Sequence, residues 1–78
     1  MNNLINTGKK KSITIIIPCY NENNNINELI IELNKVTKKI NNIIFTYFFI
    51  DDGSSDQTFQ VIRNLSRKNK KIKALRLS

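Results

Sequence analysis

The chain has no histidine, no tryptophan, one cysteine, one proline and two glycines among its 78 residues. Without His and with a single thiol, the usual nitrogen and sulfur sets that hold zinc cannot be assembled, and no internal disulfide can form. Any metal would be a hard cation held by carboxylates. Neither G-x-x-x-x-G-K nor G-x-G-x-x-G occurs, so the glycine-rich loops that cradle phosphates in P-loop and dinucleotide-binding proteins are absent. Long apolar runs are missing too. The longest uncharged apolar stretches, Ile13–Tyr20 and Ile43–Ile50, are eight residues each, against the roughly 20 that a membrane-spanning helix needs. Lys9–Lys11 precede only a short Ile-rich run that ends in Pro18, which is not the plan of a secretory signal. The chain therefore reads as cytoplasmic. Its length, about half that of a typical domain, allows one small domain or a piece of a larger one.

Acidic residues are scarce: six Asp and Glu face thirteen Lys and Arg, for a net charge of +7. The excess is unevenly spread. Residues 1–12 carry +3, residues 13–62 carry −3 and residues 63–78 carry +7. Any special motif in the centre thus sits in acidic surroundings between basic flanks. Thirteen Asn, fourteen Ile and ten Lys make up much of the chain, a bias of the kind AT-rich codons supply, so the charge by itself carries little weight about partners. A small basic nucleic-acid-binding module would interleave aromatics with its cations, yet no aromatic follows Phe59. No nucleic-acid partner is expected. That module, or a non-catalytic remnant, remains the competing reading. With 40% hydrophobic and 24% charged residues the balance is that of a globular chain.

Residues 1–11 are polar and without period, and are expected to form a flexible N-terminal lead. The β-branched run Ile13–Ile17 predicts a buried strand stopped by Pro18. From Ile26 the apolar positions Ile26, Leu29, Ile30, Leu33, Val36 and Ile40 step by three or four, which predicts an amphipathic helix capped by Asn23 or Asn24. Ile43–Ile50 predicts a second buried strand. Ser54 and Gln57 then have the spacing of a capping box, with a helix carrying Phe59, Val61, Ile62 and Leu65 behind it. Ile72–Leu77 predicts a more exposed third strand. The order β-α-β-α-β implies an α/β fold with a parallel sheet, in one unit over residues 12–78. With strand order 3-2-1 both helices would lie on one face.

Ligands of open parallel sheets bind beyond the carboxyl ends of the strands. Pro18-Cys19-Tyr20-Asn21-Glu22 follows the first strand, and Asp51-Asp52-Gly53-Ser54-Ser55-Asp56 follows the second. A tyrosine offers a flat face to a base, and a carboxylate accepts from a ring N–H. Uracil and guanine carry such an N–H beside a carbonyl and adenine does not, so Tyr20 with Asp51 suits uridine or guanosine nucleotides. Adjacent Asp51 and Asp52 point to opposite sides of a strand; one binds and the other supports. Tyr20 packing over a strand end and the aspartates forming a solvated turn are the simpler readings, outweighed by the two motifs occurring together. Cys19, with no base or second thiol beside it, reads as a small buried hydrophobe. A response-regulator receiver also uses paired acids, but after its first strand and with a further aspartate after the third, which this chain lacks.

The segments ITIIIPCYNENNNINELI and FFIDDGSSDQT resemble the N-terminal signature of family-two glycosyltransferases of the GT-A fold. The subgroup most like them acts on polyprenol phosphates, as dolichol-phosphate mannosyltransferases and bactoprenol glucosyltransferases do. The resemblance spans residues 12–78. It implies the nucleotide-binding half of a Rossmann-like GT-A domain in which Pro18, Tyr20 and Glu22 line the base and ribose pocket, Asp51 takes the base N–H and Asp52 supports the loop. It further implies a UDP- or GDP-sugar donor, magnesium or manganese, and an acceptor such as a lipid phosphate at the cytosolic face of a membrane. In the family the metal ligands, acceptor loop and catalytic carboxylate lie further along than residue 78. The 78-residue chain by itself is therefore expected not to catalyse transfer.

Overall fold

The computed structural model describes residues 10–77. The elements run β1 (Lys11–Cys19), α1 (Ile26–Thr37), β2 (Ile43–Asp51), α2 (Thr58–Lys68) and β3 (Ile72–Arg76), and the strands form one parallel sheet in the order β1-β2-β3. The lead expected over residues 1–11 lies outside the described residues except for Lys10 and Lys11, and Lys11 already opens β1.

Side chains of β2 alternate. Tyr47, Phe49 and Asp51 are buried, whereas Ile44 is exposed and Phe48 and Ile50 are half-buried. The buried set faces both helices: Phe49 and Tyr47 pack in one core with Ile26 of α1, Ile62 of α2, Cys19 and Ile72. Both helices thus cover one face. The Tyr47 hydroxyl donates to Asn34 Oδ1 at 2.7 Å and accepts from Thr37 at 2.9 Å, so its burial leaves no polar atom unpaired.

Three local expectations are corrected by tertiary context. Pro18 does not stop β1, which continues to Cys19. The Lys11 amide and the Cys19 carbonyl both bond toward β2, so residues of odd number in this edge strand face the partner strand and Pro18 turns its N–H-less nitrogen to the open side, where no ladder bond is lost. The stripe of α1 is narrower than its periodicity suggests. Ile26, Ile30 and Leu33 meet the core, but Leu29, Val36 and Ile40 are exposed, because the helix ends at Thr37 and the polar Thr37 occupies the last inward position to reach Tyr47. Neither helix is capped as expected. The Asn25 side chain, at the N-cap of α1, donates to Glu22 Oε2 instead of accepting from the first turn. The N-cap of α2 is Gln57 without a side-chain cap bond; Asp56 Oδ1 accepts the Thr58 amide at 2.8 Å in place of Ser54.

Among the described residues nothing covers the second face of the sheet, where Ile16 is 62% exposed and Ile44 and Leu75 are each 45% exposed. Large apolar side chains exposed on one uncovered sheet face favour association. Sedimentation of the wild-type chain should therefore show concentration-dependent oligomers, and the triple variant Ile16→Thr, Ile44→Thr, Leu75→Thr should shift it to monomer with little change in Tm. A wild-type chain that stays monomeric at every concentration would contradict the exposed face.

Candidate functional site

The register pairs Cys19 with Asp51, so β1 and β2 end at the same level and the loops that follow open at one edge of the sheet. The Asp52 amide donates to the Cys19 carbonyl at 3.0 Å, tying the two exits together. Two backbone reversals follow: Asn21 has φ 52° and Gly53 has φ 74°. At Gly53 a Cβ would meet nothing nearer than the Leu77 carbonyl at 3.8 Å, so the glycine is required by its left-handed backbone and not by crowding. Asn is among the few other residues that tolerate this region.

Strand alternation separates the two aspartates. Asp51 continues the inward set of β2 and has no exposed surface. Its carboxylate accepts from the Ser54 amide at 3.2 Å and 3.3 Å and from the Ser54 hydroxyl. Arg76 of β3 closes the far side, with Nε 3.8 Å from Asp51 Oδ2, a bond from Nη2 to the Ser54 carbonyl at 3.4 Å, and its guanidinium 5.7 Å from the centre of the Phe59 ring. Asp52 is turned out. With Pro18, Cys19, Tyr20 and Glu22 it lines an open hollow of about 240 Å³. Tyr20 is 57% exposed in it. Asp52 is thus the exposed carboxylate beside Tyr20, and Asp51, expected to take the base N–H, is the enclosed one of the pair.

A neighbouring hollow of about 300 Å³ shares Pro18, Cys19 and Glu22 and extends along α1 to Leu29. A larger concavity, about 680 Å³, lies elsewhere, lined by Thr14, Thr46, Phe48 and Lys73 among others. It contains no carboxylate and lies away from the carboxyl ends of the strands. Among the described residues no three His, Cys, Asp or Glu side chains gather as metal ligands. Magnesium or manganese finds no assembled site in these residues.

Other residues bind the two loops to one another. The Asn21 amide donates to Ser54 Oγ at 2.8 Å, the Glu22 amide to Thr58 Oγ1 at 2.7 Å and the Asn23 amide to Asp56 Oδ2 at 3.4 Å, while Asn21 Oδ1 accepts from the Ser55 amide at 2.9 Å. The capping-box spacing assigns Ser54 to a helix start, and no local pattern assigns a role to Asn21, Thr58 or Arg76. The available signal was an Asn in a tight turn and a run of hydroxyl and acidic residues behind the second strand.

Two pKa directions follow from this packing. Burial pushes the Cys19 thiol up, and Asp51, Glu22 and Asp56 add to it, so Cys19 stays a protonated thiol, its Sγ 3.6 Å from the Ile50 carbonyl oxygen. For Asp56, desolvation raises the carboxyl, but the Thr58 hydroxyl and the Thr58 and Asn23 amides that donate to it prevail and hold it below its ordinary value.

An open parallel sheet in β-α-β-α-β order, with two loops paired at its carboxyl edge, is the N-terminal half of a Rossmann-like α/β fold. Residues 14–78 match glycosyl transferase family 2, and the chain belongs to that family. It is 43% identical over 72 residues to CsbB of Bacillus subtilis (strain 168), an alignment covering 90% of this chain and 21% of that protein. YkoT of the same organism is 34% identical over 71 residues, 85% of this chain and 21% of the relative. The Synechocystis protein sll0501 is 32% identical over 66 residues, 85% of this chain and 20% of the relative. All three are named as glycosyltransferases. The chain spans about a fifth of the length of these relatives. Among the described residues no helix is long and apolar enough to cross a membrane.

Proposed function

We propose that the hollow between Tyr20 and Asp52 holds the base of a UDP- or GDP-linked sugar, and that the chain supplies the donor-binding part of a glycosyltransferase. The observation that carries the reading is an exposed carboxylate and an exposed aromatic ring sharing one hollow at the carboxyl ends of parallel strands. Tyr20 stacks on the base, Asp52 accepts its ring N–H, and Pro18 and Glu22 flank the base and ribose. Asp51 acts from behind by anchoring the turn. Transfer to the acceptor needs a base or metal beyond these groups.

The acceptor we propose is a polyprenol phosphate at the cytosolic face of a membrane. The likeness of PCYNE and IDDGSSDQT to that subgroup supports it, together with the exposed cations Arg63, Arg67, Lys68, Lys70, Lys71 and Lys73, which suit anionic headgroups.

Calorimetric titration of UDP, GDP and ADP tests the base assignment. Because adenine offers the carboxylate no ring N–H beside a carbonyl, the charge-assisted bond expected of uracil or guanine is missing, and UDP or GDP should bind at least about tenfold more tightly than ADP. Equal affinity for all three would overturn the reading.

A further inference from the structure

Two acids in the second loop do not line the hollow, yet each does the same thing. Asp51 takes the proton of the Ser54 hydroxyl, and Asp56 takes that of Thr58. A hydroxyl has one proton, and an ionised carboxylate can only accept. With that proton engaged, the oxygen lone pairs of Ser54 and Thr58 are turned to the other loop, where they receive the amides of Asn21 at 2.8 Å and Glu22 at 2.7 Å. If the proton were free to rotate, an O–H would confront an N–H. Ser54 is 4% exposed and Thr58 and Asp51 are fully enclosed, while Asp56 is half-buried, so both hydroxyls are shielded from water. The loop they hold contains Asn21 in the left-handed region, which Asn tolerates better than most residues and which the bonds on either side of its peptide help to fix. Tyr20 and Glu22 are the residues on either side.

We propose that the Asp51–Ser54 and Asp56–Thr58 pairs form a two-point latch that sets Tyr20 and Glu22 against Asp52. The four latch residues are positioning residues: they act on the ligand only through the loop they fix. The positioning claim rests on reading the hollow as the nucleoside pocket; the latch itself does not. Asp56, held below the ordinary carboxylate range, stays an acceptor throughout the neutral range, as the second point requires. The Asn21 side chain returns one bond, accepting from the Ser55 amide at 2.9 Å, so the loops are tied in both directions.

The test uses the full chain with Ser54→Ala and Thr58→Val, which remove the hydroxyls, and Ser54→Thr and Thr58→Ser, which retain them. Hydrogen exchange is read at single amides, and UDP and GDP are titrated in parallel. Exchange at Asn21 should quicken about tenfold in Ser54→Ala, and at Glu22 by a similar factor in Thr58→Val, while the Phe49 amide keeps its protection. Nucleotide affinity should fall about tenfold in both, with recovery in the hydroxyl-retaining variants. Unchanged exchange at Asn21 and Glu22 overturns the latch. Faster exchange with unchanged affinity overturns its positioning role, as does loss of Phe49 protection in step with the loops, which would mark general destabilisation. A wild-type chain with both amides protected that binds neither nucleotide overturns the reading of the hollow instead, and the positioning role with it.

Discussion

Asp52→Ala should weaken UDP or GDP binding by roughly tenfold to a hundredfold, the loss of a hydrogen bond to a charged group worth about 1.5–3 kcal/mol, and leave Tm unchanged. Asp51→Ala should instead lower Tm, and weaken binding only through the loop it fixes. Asp52 is exposed, so its removal strands no protein group. Asp51 has no exposed surface and is the acceptor for both the amide and the hydroxyl of Ser54. Without it those donors remain buried and unpaired at a cost of about 1–3 kcal/mol, with the Arg76 guanidinium facing an empty site as well. In a domain of this size each 1 kcal/mol lowers Tm by about 4–8 °C. Thermal melts and nucleotide titrations of the two variants form a crossed pair. Should Asp51→Asn abolish binding at unchanged Tm while Asp52→Ala binds normally, the base is held by Asp51, and the proposed role of Asp52 falls.

The two phenylalanines at the centre of β2 should differ sharply. Phe49 is fully buried among Ile26, Ile62 and Cys19, and Phe49→Ala is expected to cost about 3–5 kcal/mol. Net stabilities run near 0.05–0.15 kcal/mol per residue, so a chain of 78 residues has about 4–12 kcal/mol in all, and this one substitution removes a large part of it. Phe48 points to the uncovered face and is half-buried. Its replacement by Ala opens no enclosed cavity, so the cost should be well under half that of Phe49→Ala, with less association as a second effect. Denaturant unfolding followed by circular dichroism separates the two. Equal destabilisation would mean that both faces of the sheet are covered, against the exposures of Ile16, Ile44 and Leu75.

What the chain states locally, it states well. The β-branched run before Cys19, the three- and four-residue steps from Ile26 and the aromatic run into Asp51 report their own burial, and burial has a period for each kind of backbone. From these alone the β-α-β-α-β order, the parallel sheet and the convergence of the two motif-bearing loops at one edge could be read. Local pattern fails where a residue answers to a distant partner. The stop at Pro18 was wrong because only the sheet determines that β1 is an edge, with its even-numbered residues turned outward. Ser54 has the spacing of a cap, but its hydroxyl is engaged by the buried Asp51 and by the Asn21 amide 33 residues away. Thr58 reaches Glu22 across 36 residues. Which aspartate faces the hollow depends on continuing the strand alternation past Phe49 and on Arg76 arriving from β3 to enclose one of the pair. Hydrophobic periodicity reports how a segment divides between core and water, so the sequence determined the elements and their order. Pairing of polar groups depends on what the fold brings opposite them, and that is why the tertiary structure alone decided which carboxylate is exposed beside Tyr20 and which is enclosed with Ser54 and Arg76.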